Sequence, residues 1–251
     1  MHIWQTIREA FVPAKSDIKD PCFWRVDIHS HLLPGVDDGV STTEQAVACL
    51  TQLSQWGIRK VITTPHVSRD WHPNESFVLR GGQQLLQNLA DEHELGLTIE
   101  VAAEYLLDEF FIELLNAGDL LTFGRERYLL FELGWAAAPR QLDDILFRMQ
   151  ARGYKPVLAH PERYLYYYNA LPALAQLRAN GCLFQLNWGS LTRRYGERVQ
   201  TQANMFLRHN WVDFFGSDMH RSGDITTMNS LFTSPYYSQL KRQSLLNESL
   251  I

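Results

Sequence analysis

Asp27-Ile28-His29-Ser30-His31-Leu32-Leu33-Pro34-Gly35-Val36-Asp37-Asp38-Gly39 places two imidazoles, one residue apart, where an apolar stretch gives out. Residues 24–28 predict a short strand. In extended backbone residues i and i+2 point the same way, so His29 and His31 can reach one ion together. The turn signals Pro34-Gly35 and Asp38-Gly39 follow at once and bring a carboxylate back toward the pair before a helix begins. An isolated H-x-H is a weak signal. Its meaning depends on what the rest of the chain supplies.

Beyond this stretch one alternation recurs. Ser41-Thr42-Thr43-Glu44 is a capping box, and Ala46, Val47, Leu50 and Leu53 mark one face of a helix that stops at Gly57. A strand over 59–64 runs into Pro65-His66, and 67–74 reads as an exposed loop before a helix over 77–93. A strand over 97–103 closes at Glu104, and a helix over 108–117 is stopped by Gly118. A strand over 128–131 closes at Glu132, and Pro139 opens a helix through Leu142, Ile145, Leu146 and Met149. A strand over 156–159 closes at His160, and a helix through Leu171, Leu174 and Leu177 ends at Gly181. A strand over 183–186 closes at Asn187, and a helix over 195–210 leads to a strand over 212–215 that runs into Gly216-Ser217-Asp218-Met219-His220. Seven strand-helix units emerge, which predict an α/β fold with a parallel sheet closed into a TIM-like (β/α)7 barrel.

Topology alone names no function. The informative point is where the polar residues fall: six of the seven strands end in His, Asp or Glu, namely His29 and His31, His66, Glu104, Glu132, His160, Asp218 and His220. In a parallel barrel these ends share one rim, and Asp38 in the loop after the first strand joins them. Any one of them, alone, is more often a solvated loop residue or a satisfied hydrogen-bond partner. Their common position is what chance does not supply. His2, His93 and His209 lie outside strand ends and read as ordinary residues, while His72 in the 67–74 loop could either approach the rim or be exposed.

The 251 residues fit one large domain, and a formal charge of −5 without a basic run argues against broad binding to nucleic acid or anionic membrane. Cys22, Cys49 and Cys182 are odd in number, far apart and in no C-x-x-C pair, as expected of reduced packing residues. No signal-peptide core and no bilayer-length apolar run is present, so the reading is a cytoplasmic protein. Ligands of nitrogen and oxygen without sulfur suit Mn²⁺, Fe or Zn²⁺. The candidates suit two or three ions with a bridging carboxylate such as Glu104. Three divalent cations against Asp38, Glu104, Glu132 and Asp218 leave a net positive site that favours a phosphate dianion.

These residues also carry a family resemblance. Asp27-Ile28-His29-Ser30-His31 with Asp37-Asp38-Gly39, then Thr64-Pro65-His66, Ala103-Glu104, Phe131-Glu132, His160-Pro161-Glu162-Arg163-Tyr164 and Ser217-Asp218-Met219-His220 resemble the polymerase and histidinol phosphatase (PHP) superfamily. The match is closest to bacterial manganese-dependent protein-tyrosine phosphatases of capsular and exopolysaccharide systems, and it runs from about Arg25 to Arg221. The resemblance implies a distorted barrel of the PHP type over 24–251, with 1–23 as an N-terminal extension. It implies one metal held by His29, His31, Glu104 and Asp218, a second by Glu104, Glu132 and His160, and a third by Asp38, His66 and His220, with Mn²⁺ the foremost choice. Arg163 matches an arginine that binds phosphate. The family's second arginine, a few residues after the last histidine, is replaced here by Arg221-Ser222-Gly223-Asp224.

The implied reaction is phosphomonoester hydrolysis by a metal-activated hydroxide, without a covalent phosphoenzyme, on the tyrosine-phosphorylated tail of an exopolysaccharide kinase. Glu104, Asp218 and Arg163 are the residues expected to carry it. No cysteine sits in a phosphate-binding loop. Tyr164, Tyr166, Tyr167, Tyr168, Trp71 and Trp135 either line a cleft for an aromatic substrate or pack the core. A small-molecule phosphatase acting on histidinol phosphate would use the same metals, and a non-catalytic partner docking on a kinase is the reading from another class. A metal-dependent amidohydrolase commonly has a bridging lysine where this chain has Glu132.

Overall fold

A computed structural model describes residues 21–251. It is an α/β structure in which every strand pair is parallel. In chain order the elements are β1 (Val26–Asp27), α1 (Thr43–Gln55), β2 (Lys60–Thr63), β3 (His66–Val67), α2 (Ser76–Glu92), β4 (Thr98–Val101), β5 (Glu104–Leu106), α3 (Glu109–Ala117), β6 (Tyr128–Glu132), α4 (Leu142–Ala151), β7 (Lys155–Ala159), α5 (Leu171–Ala179), β8 (Leu183–Asn187), α6 (Trp188–Leu191), α7 (Glu197–Arg208), β9 (Phe214–Gly216), α8 (Asp224–Asn229) and α9 (Pro235–Leu240). Two short 3-10 turns, Pro161–Arg163 and Leu165–Tyr167, follow β7. Among the described residues no helix is long and apolar enough to cross a membrane.

The strands form a three-stranded sheet, β1-β2-β4, and a six-stranded sheet, β3-β5-β6-β7-β8-β9. Two of the strands expected from the sequence are broken. The 59–64 strand is interrupted at Thr64-Pro65, where proline has no N–H to give the ladder, and resumes as β3. The 97–103 strand is interrupted at Ala102-Ala103 and resumes as β5. Hydrogen bonds carry the sheet over both gaps: Ala102 N donates to Thr63 O at 2.9 Å and Glu104 N donates to Pro65 O at 3.0 Å. The far edges meet as well. His31 N donates to Met219 O at 2.9 Å and Asp218 N donates to His29 O at 2.7 Å. Below this seam the buried Asp27 accepts from both Ser217 N and Ser217 Oγ, at 2.8 and 2.6 Å.

Strand alternation sorts the core. On β6, Tyr128 and Leu130 join Val26, Ile28, Val157, Ala159 and Phe214 in one compact apolar cluster, whereas Leu129 and Phe131 face the larger core under the helices. The same parity carries Glu132, at the end of β6, toward the inner side. On β7 parity alone would send residue 160 outward with Leu158. His160 instead adopts a left-handed conformation, φ 37°, and Asp218 after β9 does the same at φ 52°. Such values are rare outside glycine and turn both side chains out of the simple alternation.

Local signals explain the helices around this frame. Thr42 caps α1, its hydroxyl accepting from Gln45 N, and Asp108 caps α3 by accepting from Phe111 N. Gly118 ends α3 in the left-handed conformation, φ 76°. The helix expected over 195–210 begins two residues late, after Gly196, and is preceded by the short α6, which no periodicity indicated. Of the 1–23 extension, 1–20 lie outside the described residues. Cys22 is buried and donates its N–H to Trp56 O, and Pro21 O accepts from Tyr237 Oη, so 21–23 pack with the domain.

Candidate metal centre

The strand ends, together with the loop that carries Asp38, bring the expected ligands to one place. Three sets of His, Asp and Glu donors lie within reach of single ions: His29, His31 and Glu104; His66, Glu104 and Glu132; and His31, Asp38, His66 and His220. Asp218 adjoins the first set, its Oδ1 3.5 Å from His29 Nε2 and 3.4 Å from His31 Nε2. His160 Nε2 lies 2.8 Å from Glu104 Oε1 and 3.9 Å from Glu132 Oε2. His72, which the sequence left open, comes to the rim as well, its ring stacked on His66 at 5.5 Å. His93 and His209 are in none of the sets, and His2 lies outside the described residues.

The fit of these donors to metal ions turns on the tautomers their partners favour. His29 Nδ1 is 2.8 Å from Gln185 Oε1 and His31 Nδ1 is 2.7 Å from Asp37 Oδ2, and both acceptors require an N–H. In the neutral rings the two Nε2 lone pairs then face each other at 3.3 Å. They also face Glu104 Oε2, at 3.1 and 3.4 Å. Lone pairs and carboxylates converging without a cation repel. The spacings are those of neighbouring donors around an ion with bonds of about 2.1 Å, whose tetrahedral edge is about 3.4 Å. His220 repeats the pattern, giving Nδ1–H to Asp218 O at 3.0 Å and turning Nε2 to Asp38 Oδ1 at 3.4 Å.

Titration behaviour states the same demand for positive charge. Burial alone would raise the carboxyls of Glu104 and Asp218, yet the surrounding imidazoles hold both well below the usual range. Burial presses His66 down, but Glu104 and Glu132 together outweigh it and lift the ring to about 9. Asp37 is drawn down to about 2, the hydrogen bond and charge of His31 overcoming its burial. His160 is lowered, by burial first and by Arg163 second, and its buried Nδ1 has no hydrogen-bond partner among the described residues.

Around the donors opens a cavity of about 800 Å³. Arg163 reaches it from the turn after β7. Its Nη1 donates to Asp218 Oδ2 at 3.0 Å, and its guanidinium lies between the rings of Trp135 and Tyr195, 4.8 and 4.3 Å from their centroids. An exposed arginine paired with Glu162 is therefore not what is found. Glu162 is buried and turned away, accepting from Asn187 N at 3.0 Å and Ser190 Oγ at 2.6 Å. Arg221 keeps a side chain 74% exposed, whereas Arg194, 20% exposed, is held against Asp224 at 2.7 Å. Both border the cavity.

Several participants carried no signal in the sequence. Gln185 orients His29, and Asn187 Nδ2 donates to Asp218 Oδ2 at 2.5 Å. Tyr195 Oη donates to the same oxygen at 3.1 Å. Gln185 and Asn187 are two apart on one strand and so share a face, the one regularity that could have marked them.

The family model described as capsular polysaccharide synthesis, CpsB/CapC, matches residues 25–229. The tyrosine-protein phosphatase CpsB of Streptococcus pneumoniae is 29% identical over 202 residues, 78% of this chain and 82% of that one. The tyrosine-protein phosphatase YwqE of Bacillus subtilis is 27% identical over 195 residues, 78% of this chain and 77% of its own. Among solved structures, one from work on YwqE of B. subtilis and CpsB of S. pneumoniae, described as unique metal-dependent tyrosine phosphatases, has a TM-score of 0.78. It is 26% identical and covers 90% of each chain.

Proposed function

Because the chain belongs to the CpsB/CapC family, we propose that it is a metal-dependent protein-tyrosine phosphatase. The observation that carries the reading is the pair of Nε2 lone pairs on His29 and His31 facing Glu104 and Asp218. We read the curled sheet, with β2 and β3 counted as one strand and β4 and β5 as another, as the seven-stranded barrel of the PHP type. His29, His31, Glu104 and Asp218 would hold one ion. Glu104, Glu132 and His160 would hold a second, with His66 3.3 Å from both carboxylates. Asp38, His66 and His220 would hold a third. Mn²⁺ is the ion we expect first.

When bound, such ions lower the pKa of water and polarise phosphoryl oxygens. The chain's own residues do the rest. Gln185 and Asp37 keep His29 and His31 in the tautomer that offers Nε2. Asp218 holds one edge of the Arg163 guanidinium, and the rings on either side of Arg163 fix its plane, so its remaining N–H groups are oriented before a phosphoryl group arrives. A phenolate is a fair leaving group, so no strong general acid is required of the site. The substrate proposed is a phosphotyrosine protein, a tyrosine kinase of capsule or exopolysaccharide synthesis, met in the cytoplasm.

The test is metal analysis of the purified protein together with turnover of a phosphotyrosine peptide beside histidinol phosphate. More than one transition-metal ion per chain and preference for the peptide are expected. No bound metal and no gain on adding Mn²⁺, Fe²⁺ or Zn²⁺ would end the metal reading, and preference for histidinol phosphate would move the activity to small molecules.

A further inference from the structure

Resting on that reading, we infer that Trp71 and Trp135 are the specificity walls of the site, holding the aromatic ring of an aryl phosphate at the cavity mouth. Both line the cavity that also contains Glu104, His160 and Arg163. They are 78% and 54% exposed. An indole left this open to water is unusual, and a pair of them at one site is more so.

Neither is exposed because its backbone is loose. Trp71 stands at the tip of a short hairpin in which Ser68 N donates to His72 O at 2.9 Å and His72 N to Ser68 Oγ at 3.2 Å. The hairpin is tied down beside the tip. Arg69 N donates to Asp108 Oδ2 at 2.9 Å, its guanidinium pairs with Glu113 at 2.6 Å, and it lies over Phe110 at 5.2 Å. Asn74 Nδ2 fastens the other side to Val36 O and His66 O, each at 2.9 Å. Trp135 is fixed from beneath. Its ring lies 9° from parallel to that of His160 at 5.8 Å, with the Arg163 guanidinium also against it.

Two of the neighbouring tyrosines sort differently. Tyr164 and Tyr167 are buried, and Tyr164 Oη accepts from Leu133 N at 2.9 Å, so they serve the core. A phosphoryl group engaged by Arg163 directs its ester oxygen toward the mouth, where the two indoles offer apolar faces to whatever that oxygen carries. A phenyl ring gains contact there. A short alkyl group does not.

The test compares binding of phenylphosphonate and methylphosphonate to the metal-loaded protein by calorimetry. Trp71→Ala and Trp135→Ala should each weaken phenylphosphonate by roughly three- to tenfold, the range measured for aromatic pairs, and lower the phenyl-to-methyl affinity ratio by the same factor. Trp135→Phe should restore most of it. Trp71 touches no core, so its variant decides the matter even where Trp135→Ala fails to fold. A ratio that stays at the parent value, or affinities for both ligands that fall in step, overturns the inference. Absence of turnover on phosphotyrosine peptide with the ratio still falling would instead refute the phosphatase reading and leave the aryl site standing.

Discussion

Glu162 is a carboxyl in an awkward place, and replacing it with glutamine should make the protein more stable at pH 8. Its Oε1 accepts from Asn187 N and Ser190 Oγ, while its buried Oε2 has no hydrogen-bond partner among the described residues. Burial is the chief cause that lifts its pKa from 4.5 to about 7, against the lowering effect of those two donors. For an acid whose folded pKa is raised, the stabilising contribution is whole below the unfolded value and is lost as pH rises through the folded one. The window here is pH 4.5 to about 7. At about 1.4 kcal/mol for each pH unit, ionisation in the folded state costs on the order of 3 kcal/mol above that window. Glu162→Gln keeps the Oε1 acceptor and removes the charge. Urea unfolding of parent and variant at equal metal loading, across pH 4.5 to 8, should show a stability difference growing in favour of the variant by up to about 3 kcal/mol. A difference that does not change with pH, or one that shifts in favour of the parent as pH rises from 5 to 8, would refute the reasoning.

Arg163→Ala should keep its metal and fold yet lose on the order of 10²-fold or more in kcat/KM for phosphotyrosine peptide, with lysine recovering only part; turnover at the parent rate would remove Arg163 from phosphate binding. Glu104→Ala should abolish turnover while the circular dichroism spectrum stays that of the parent, because the side chain serves two donor sets and packs no apolar core. Near-normal turnover at full metal content would show that it bridges nothing. A Cβ on Gly216 would lie 2.6 Å from His29 Cβ and 3.0 Å from Gln185 Nε2. Gly216→Ala should therefore cost about 1–3 kcal/mol of stability and displace His29, read as reduced metal content by elemental analysis. Full content and unchanged unfolding would contradict the crowding.

The rim was legible because a polar, ligand-type residue directly after an apolar strand is a conspicuous pattern, and its repetition points His66, Glu104, Glu132 and His160 to the one rim where they lie. What orients those residues was not. Gln185 and Asn187 are neutral amides and carry no ligand signal. Asp37 and Asp38 are adjacent in the chain, and only the backbone decides that Asp37 serves His31 Nδ1 while Asp38 faces His66 and His220. The strand breaks were half visible. Pro65 announces one, but the gap at Ala102-Ala103 has no residue that forbids a ladder and follows its neighbour across the sheet. Arg194 carries no such signal, since it reaches the cavity from the segment between α6 and α7 and not from a strand end.

The three thiols have a consequence for how such an enzyme meets oxidative stress. Cys22, Cys49 and Cys182 are at most 2% exposed and unpaired, and burial pushes Cys49 up to about 12 and the other two well above their ordinary value. Peroxide and alkylating agents attack thiolate, and at neutral pH these side chains offer almost none. A phosphatase that works through a low-pKa cysteine presents such a thiolate at its reacting centre. Among the described residues no cysteine lines the cavity, so a peroxide dose that oxidises an active-site thiolate finds no such target in this chain's site and leaves its three buried thiols reduced.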